Sequence, residues 1–371
     1  TALHLRHHES LTKQDEARFT LWPAVRNERR HLFDRGTSTT KSVRRQGPVR
    51  LPPDLFHHSC AAWRCMDRGQ TLRAAAVAAA LTVTFGDTAT AAHAAPPELT
   101  RSPMIIAHRA GTGDFPENTL LGLGKAVEAG VDGVWLTVQA SSDGVPVLYR
   151  PADLAALTDG TGPVNSLTAQ QLQQLNAGWN FTGGGGQPYR QQPAYIPTLA
   201  QAILATPPDM PLFLDLKQTP AQPLVSAVAQ VLRETGAAPR SVVYSTDADI
   251  TAAAAQESLQ VAESRDATRL RLLNMAVNRR CDPAPDPGKW AGFEMHRDFT
   301  VTEKFTLGVG VSPVNAELWD PASVECFTAG SDMRVIGFAV NTVDDYQLAE
   351  KAGMDAVLVD SPLAARQWRM R

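Results

Sequence analysis

Beyond Pro96 the chain alternates short apolar runs with longer amphipathic stretches, and this alternation constrains the fold more than any other feature. Such a repeat predicts βα units arranged around a parallel sheet. The chain has 371 residues, 43% of them hydrophobic and 20% charged, so it can bury the core of one barrel of roughly 250 residues. We therefore predict an α/β protein with a TIM-type (β/α)8 barrel.

The predicted elements follow this repeat. Strands are expected at Met104–His108, Gly133–Gln139, Val145–Arg150, Pro211–Lys217, Ser241–Ser245, Leu259–Glu263, Gly292–Met295, Val335–Val340 and Ala356–Val359. Helices are expected at Thr119–Ala129, Thr168–Asn176, Leu199–Ala205, Pro223–Thr235, Asp266–Val277, Pro321–Ala329 and Asp344–Ala352. Nine strands exceed the barrel's complement, so one is extra or two form one bent strand. The glycine-rich stretch Asn176–Pro193 predicts a long loop, either a flap over the site or a surface excursion.

Residues 66–95 resemble a secretory signal placed inside the chain. Met66 could be a start, the core Ala74–Phe85 is apolar, and Ala92-His93-Ala94 offers a small-residue cleavage site. The core of about a dozen residues is too short to span a bilayer, so no transmembrane span is expected in the mature chain. An Ala-rich amphipathic helix or a retained anchor is the alternative. The signal interpretation predicts a periplasmic or secreted protein.

Under this interpretation the barrel domain covers residues 96–371. Residues 1–65 are basic, His-rich and aperiodic, which predicts a non-native or disordered upstream segment. They carry 12 Lys and Arg against 6 Asp and Glu, whereas residues 96–371 carry 21 against 30. The folded part is therefore acidic, and it lacks the clustered basic character of a nucleic-acid-binding protein.

The four cysteines form two groups, and only Cys281 and Cys326 belong to the barrel domain. Export would permit a disulfide between them, although sequence does not give their separation. Metal ligation is disfavoured because neither has a paired Cys or His at finger-like spacing.

The stretch Ile105–Gly111 places His108 and Arg109 at the end of a predicted buried strand, and Glu117 follows in the next loop. Loops at the carboxyl ends of strands are where α/β enzymes place their chemistry. An imidazole beside a guanidinium is suited to binding phosphate and transferring protons to it or from it.

Six motifs, taken in order, resemble those of the glycerophosphodiester phosphodiesterase family, from about Met104 to about Trp368. They are His108-Arg109-Ala110 followed by Pro116-Glu117-Asn118-Thr119, Ser142–Val147, Leu157–Gly162, Ile196–Leu199, Leu214–Lys217 and Gly353–Pro362. Ala110 stands where the family has glycine. The resemblance implies a TIM-type barrel related to phosphatidylinositol phospholipases C, acting on glycerophosphodiesters in lipid or glycerol-phosphate metabolism. It also implies two catalytic histidines and a Mg²⁺ or Ca²⁺ ion.

This chain departs from the family at the metal ligands and at the second histidine. Trp135 and Thr137 occupy the positions of a Glu-x-Asp pair, Arg150 occupies that of the histidine, and Asp215 is the one carboxylate that remains. An indole cannot ligate a hard cation, so a metal at Asp215 and no metal at all both stay open. Trp135 is expected to fill the vacated metal volume or to stack on substrate.

Cationic side chains offer a replacement for the missing ion. Arg150 is predicted to neutralise phosphate at the mouth of the barrel, a surface salt bridge being the alternative. Lys217 shares a strand face with Asp215, so it is predicted to contact phosphate or to form a structural ion pair. Glu117 is expected to pair with Arg109 or to orient His108.

Only two histidines lie in residues 96–371, His108 and His296. His108 is predicted to be the general acid and base, assisted by Arg109 and Glu117. His296 follows a predicted strand, where a βα loop would bring it to the same rim, and a hydrogen-bonded structural role is the favoured interpretation.

These residues together predict a phosphodiester hydrolase that cleaves a small phosphodiester into an alcohol and a phosphomonoester. Two alternatives remain open. One is a catalytically degenerate barrel that binds phosphorylated ligands, and the other is a phosphoryl transferase variant.

Overall fold

The computed structural model of the chain describes residues 19–20, 102–183 and 186–369. The predicted signal-like segment 66–95 lies outside these described residues, and so does the predicted upstream segment 1–65 except for Phe19 and Thr20. None of the helices in the described part is long and apolar enough to cross a bilayer.

Strands and helices alternate along most of the described chain. The strands are β1 Phe19–Thr20, β2 Met104–His108, β3 Gly133–Ala140, β4 Pro146–Leu148, β5 Leu212–Leu216, β6 Ser241–Tyr244, β7 Trp290–Glu294, β8 His296–Phe305, β9 Gly308–Glu317, β10 Arg334–Phe338 and β11 Ala356–Val359. The helices are α1 Leu120–Glu128, α2 Ala169–Leu172, α3 Leu199–Leu204, α4 Ala221–Glu234, α5 Ala248–Gln256, α6 Arg265–Asn278, α7 Pro321–Thr328, α8 Val343–Ala352 and α9 Pro362–Trp368.

A parallel sheet in the order β6-β5-β3-β2-β11-β10-β7 forms the wall of the barrel. Residues 260–263 fill the remaining gap between β6 and β7. The Val243 amide donates to the carbonyl oxygen of Gln260 at 2.8 Å, and the Glu263 amide donates to that of Trp290 at 2.7 Å. These bonds close the sheet, and the TIM-type α/β fold is confirmed.

The extra predicted strand is explained by β4, which pairs antiparallel with β3. Leu259–Glu263, by contrast, supplies the eighth position of the barrel through short contacts rather than a regular strand. Two helices, α5 and α9, were not predicted. Neither was the hairpin of β8 and β9, whose ten-residue strands pair antiparallel.

The inside of the barrel is filled with aromatic side chains. Trp135, Phe213, Tyr244, Trp290 and Phe338 are all buried there, and the Trp135 ring lies 5.0 Å from that of Tyr244 and 5.2 Å from that of Phe338. A second core of aliphatic residues packs the helices against the outside of the sheet. Because the interior is solid, ligands can bind only at its mouth.

Two cross-links brace the side of the barrel closed by residues 260–263. Cys281 and Cys326 form a disulfide, with their Cα atoms 5.5 Å apart, a pairing that the sequence permitted but did not predict. Arg271 makes a bidentate, buried ion pair with Glu263, at 2.8 and 2.7 Å. This pair ties α6 to the segment that completes the sheet.

Candidate functional site

His108 and Asp360 meet at the carboxyl ends of β2 and β11, which are neighbouring parallel strands. The Nδ1 atom of His108 lies 2.6 Å from Oδ1 of Asp360, and Asn341 donates to the other carboxylate oxygen at 2.8 Å. Burial alone would raise the pKa of Asp360, but its hydrogen bonds and the charge of His108 lower it. An ionised Asp360 holds the Nδ1 proton and leaves Nε2 of His108 as the nitrogen for proton transfer.

The chain turns sharply after His108. Arg109 and Ala110 both have positive φ angles, 49° and 64°, and Gly111 and Thr112 donate their amides to the carbonyl oxygen of His108. Ala110 adopts the left-handed conformation at the position where the family has glycine, although a side chain there costs about 1 kcal/mol or more. The turn directs the Arg109 side chain back to the strand end.

Glu117 is held by two donors in the loop that follows. The Arg109 guanidinium donates to Oε2 at 2.9 Å, and the Thr112 hydroxyl donates to the same oxygen at 2.8 Å. Of the two predicted roles for Glu117, the pairing with Arg109 is confirmed, whereas Asp360 is the carboxylate that orients His108.

The neighbouring strands β3 and β5 bring Thr137 and Asp215 side by side in register. Lys217 lies 3.1 Å from Oδ1 of Asp215, close enough for an ion pair but without hydrogen-bond angles. Burial raises the pKa of Asp215, and the charges of Lys217 and His108 oppose that rise only in part. Trp135 packs among the interior aromatics beneath this pair, which agrees with its predicted role as a filler.

Unpartnered polar atoms concentrate at this place. The described buried side chains contain six polar atoms without a hydrogen-bond partner, and five of them belong to residues of β3, of β5 and of the segment that follows β2: Nε of Arg109, Oε1 of Glu117, Nδ2 of Asn118, Oγ1 of Thr137 and Oδ1 of Asp215. Buried polar groups are normally satisfied, so such a cluster calls for a ligand or ordered water. The cluster makes the mouth of the barrel the candidate binding site.

Arg150 follows β4, beside this cluster. The amide of the preceding Tyr149 donates to the carbonyl oxygen of Thr137 at 3.0 Å, and Gln139 donates to the backbone oxygens of Tyr149 and Pro151. The Arg150 side chain is exposed, and within the described part of the chain it forms no ion pair. Its predicted contact with phosphate stays a prediction.

His296 lies in the connection between β7 and α7, as the sequence predicted, although this connection contains the hairpin of β8 and β9. It begins β8 and its Nε2 atom lies 2.7 Å from Oδ1 of Asp345, near the start of α8. The favoured interpretation, a hydrogen-bonded structural histidine, agrees with this pairing.

Sequence reasoning missed Asp360 and a charged cluster on the far side of the mouth. Asp360 lies in the motif Gly353–Pro362, and its position directly after a buried strand could have identified it as a site residue. In the cluster, Arg265 donates to both carboxylate oxygens of Glu294 at 2.7 and 2.8 Å. Arg265 also bonds to Tyr244, whose pKa burial raises to about 12. Residues so distant in sequence carry no local signal.

The residues at the mouth do not fit the divalent cation that the resemblance implies. Asp215 is already paired with Lys217 and Glu117 with Arg109, Thr137 offers a hydroxyl, and Trp135 offers no ligand atom. Among the described residues, no group of three or more His, Cys, Asp or Glu could hold a metal. Hard cations need several oxygen ligands, so the donor set is too small for a family-like metal site.

Part of the predicted loop Asn176–Pro193 packs beside the site. Residues 177–182 and the loop after β2, including Glu117, line a cavity of about 260 Å³. Gly178 lies against Pro116 and Tyr189, so closely that a side chain there would collide with them. The described part of this loop is therefore a wall of the site region.

Comparison with known proteins agrees with this geometry. The model of the Glycerophosphoryl diester phosphodiesterase family matches residues 108–364. The chain is 73% identical over 295 residues to the uncharacterized protein MT2337 of Mycobacterium tuberculosis strain CDC 1551, and the match covers 79% of this chain and 97% of that protein. Human glycerophosphodiester phosphodiesterase 1 is 37% identical over 113 residues, only 30% of this chain and 33% of that protein.

Solved structures share the fold. The crystal structure of the phosphodiesterase domain of Rv2277c from Mycobacterium tuberculosis has a TM-score of 0.70 and 75% identity, covering 72% of this chain and all of that one. A phosphodiesterase of Oleispira antarctica, in complex with the product sn-glycerol-3-phosphate, has a TM-score of 0.54 and 23% identity, covering 72% and 97%. With its barrel, its site and these matches, the chain belongs to the glycerophosphoryl diester phosphodiesterase family.

Proposed function

We propose that the protein hydrolyses a small glycerophosphodiester, or a related phosphodiester, to an alcohol and a phosphomonoester. The observation that carries the proposal is the His108–Asp360 pair beside a cluster of unpartnered polar atoms and two cations, Arg109 and Lys217. The Oleispira antarctica relative holds sn-glycerol-3-phosphate, which supports a substrate of this size.

The reaction needs one group to take the proton of the attacking water and another to give a proton to the leaving alcohol oxygen. His108 is the first candidate, because Asp360 fixes its tautomer. Asp215 is the second, because burial raises its pKa while the charge of Lys217 opposes that rise. A phosphate that draws Lys217 away would remove this opposition and favour the protonated carboxyl group that a proton donor needs. The bond from phosphorus to the alcohol oxygen breaks as the water oxygen bonds to phosphorus.

Negative charge grows on the phosphoryl oxygens as water attacks, and fixed cations nearby stabilise it. Arg109 is held by Glu117 and Lys217 by Asp215, so both are positioned before substrate arrives. Arg150, exposed at the edge of the site, is a third candidate. We propose that these side chains supply the positive charge for which the family typically uses a divalent ion, and that turnover needs no added metal.

We also propose that the protein is exported from the cytoplasm. The signal-like segment 66–95 supports a periplasmic or secreted location, and the Cys281–Cys326 disulfide is of a kind that persists in oxidising compartments.

The test is turnover of glycerophosphocholine by the purified chain, measured with and without a chelator. Chelator-resistant release of choline or glycerol phosphate that is lost in His108→Ala supports the proposal. Turnover that stops with chelator and returns with Mg²⁺ or Ca²⁺ would refute the metal-independent part while leaving hydrolysis intact.

The replaced positions Trp135 and Thr137 favour one second candidate, a barrel that binds phosphorylated ligands without cleaving them. Calorimetric titration with sn-glycerol-3-phosphate separates the two. Binding without turnover of any diester tested would establish this second function.

A further inference from the structure

The hairpin of β8 and β9 is the part of the described chain that the proposed function leaves unexplained. It leaves the barrel directly after β7, at the mouth, and its strands pair from His296 and Glu317 at the base to Phe305 and Gly308 at the tip. Ten residues of strand extend roughly 30 Å. Near the base Phe299 is buried, which secures the hairpin to the barrel.

The tip, residues 305–311, contains no charged side chain, and the nearest charges are Glu303 and Lys304 on the facing part of β8. Its apolar residues are exposed to an unusual degree: Phe305 62%, Leu307 98%, Val309 60% and Val311 62%. Single exposed hydrophobic residues are ordinary, whereas four within seven consecutive residues form a patch of the kind that binds something. The edge pairing of β1 with β8, at Val301 and Thr302, stops short of this tip.

The register of the hairpin decides what kind of partner fits. Residues directly opposite one another share a face of the ribbon, and alternate residues share it too. Val309 and Val311 therefore lie on one face, opposite Lys304 and Thr302. Phe305 lies on the other face with Val314, and its ring lies against Gly310. Leu307 is at the turn.

This tip carries apolar side chains on both faces, Phe305 on one and Val309 and Val311 on the other, with Leu307 at its end, whereas a protein groove covers one face of a β-ribbon. Glu303 and Lys304 on β8, the nearest charged residues, are long enough to reach polar headgroups. The hydrocarbon of a bilayer surrounds an inserted group on all sides. A lipid surface therefore fits this tip better than a protein groove does. The free backbone groups at the strand edge limit insertion to the shallow interfacial zone, on the order of 5–10 Å deep. Attraction to anionic lipid is disfavoured as the driving force, because the tip has no cluster of basic residues and Glu303 offsets the charge of Lys304 beside it.

We propose that the tip of the hairpin inserts into the interface of a lipid bilayer and attaches the protein to a membrane surface by hydrophobic contact. This inference goes beyond the proposed function and does not depend on catalysis.

The test is flotation of the whole chain with phosphatidylcholine vesicles, comparing the wild-type protein with Leu307→Ser and with the double variant Leu307→Ser, Val309→Ser. All three are expected to fold, since both side chains are exposed. Leu204→Ser, at a 76% exposed leucine on α3, is the matched control. The partition coefficient is expected to fall about tenfold with Leu307→Ser, further with the double variant, and not with the control.

The same measurement at high salt is expected to give undiminished binding, because no charge drives it. Absence of wild-type binding at any lipid concentration would overturn the proposal, as would equal binding by the tip variants. Sedimentation of the protein without lipid tests the alternative that a second copy of the chain binds the tip. Self-association that the tip variants abolish, together with weak vesicle binding, would support that alternative and overturn the proposal.

Discussion

The two halves of the barrel mouth differ in how completely their polar groups are matched. On the side of β2 and β11, His108 has a carboxylate partner and that carboxylate has its own donor in Asn341. On the side of β3 and β5, an indole and a hydroxyl stand beside the buried carboxylate of Asp215. Each strand of a barrel contributes its rim residues separately. One half can therefore keep its proton-transfer groups while the other loses its cation ligands.

The largest loss of activity is expected when the side of the mouth formed by β2 and β11 loses its histidine. His108→Ala should lower kcat/KM by about 10²–10⁴-fold, the usual contribution of a general acid or base. His296→Ala is the matched control, because that histidine bonds to Asp345 and neither residue belongs to the cluster of unpartnered polar atoms. An equal loss in both variants would remove the distinction between the two histidines.

The next effect tests which cation serves the other half. Lys217→Met should lower kcat by about 10²–10³-fold, as loss of one preorganised transition-state donor does. Arg150→Met should cost less, because the exposed Arg150 is less firmly positioned. The comparison is of steady-state kinetics with glycerophosphocholine, and a larger loss in Arg150→Met would reverse the assignment.

Asp360→Asn tests whether Asp360 orients His108 on the side of β2 and β11. The expected loss in kcat/KM is about 10–100-fold, typical of a residue that orients a reacting one. The pKa of Asp360 is lowered in the folded protein, so its contribution to stability is present above the unfolded pKa and disappears as pH falls through the folded pKa.

Melting temperature measured against pH checks that sign. The wild-type protein should lose stability in acid more steeply than Asp360→Asn does. A structural role alone would lower the melting temperature without changing the pH profile of kcat/KM.

In the other half, Asp215→Asn should raise stability at neutral pH by about 1 kcal/mol while lowering activity. The raised pKa of Asp215 means that folding is most favoured below its unfolded pKa, and that this advantage is lost as pH rises through the folded pKa. The variant and the wild-type protein should therefore converge in acid. Urea unfolding at two pH values measures the difference, and a destabilised variant at neutral pH would contradict it.

The smallest effect on stability is expected at Ala110, which stands where the family has glycine in the turn after β2. Ala110→Gly relieves a left-handed alanine but removes a fully buried methyl group, two changes of about 1 kcal/mol in opposite directions. The free energy of unfolding should shift by less than about 1 kcal/mol, with activity unchanged. A shift of several kcal/mol would mean that the turn after β2 is built differently.

The barrel could be predicted because its strands are buried on both faces. β5, for example, is buried at every residue, which produces an uninterrupted apolar run that sequence shows directly. β8 and β9 are mostly exposed, so polar residues interrupt their pattern. Thr-Val-Thr precedes Gly308 and alternating valines follow it. This pattern is typical of a hairpin, although the strand prediction did not include it.

The site could be predicted in part for a similar reason. His108, Arg109 and Glu117 lie within ten residues of one another in sequence, and the pairing of Arg109 with Glu117 is local. The pairing of His108 with Asp360 spans 252 residues. Only the closure of the barrel, which places β11 beside β2, makes them neighbours.

The sequence by itself determined the α/β repeat, the family, and the loss of carboxylates at positions 135 and 137, since these depend on residue type and order. The tertiary structure decided which carboxylate orients His108, which partner Lys217 takes, and where an uncharged hairpin tip emerges. The physical reason is that side-chain contacts depend on distances across the sheet. Those distances exist only after distant strands have paired and their apolar faces have been buried together.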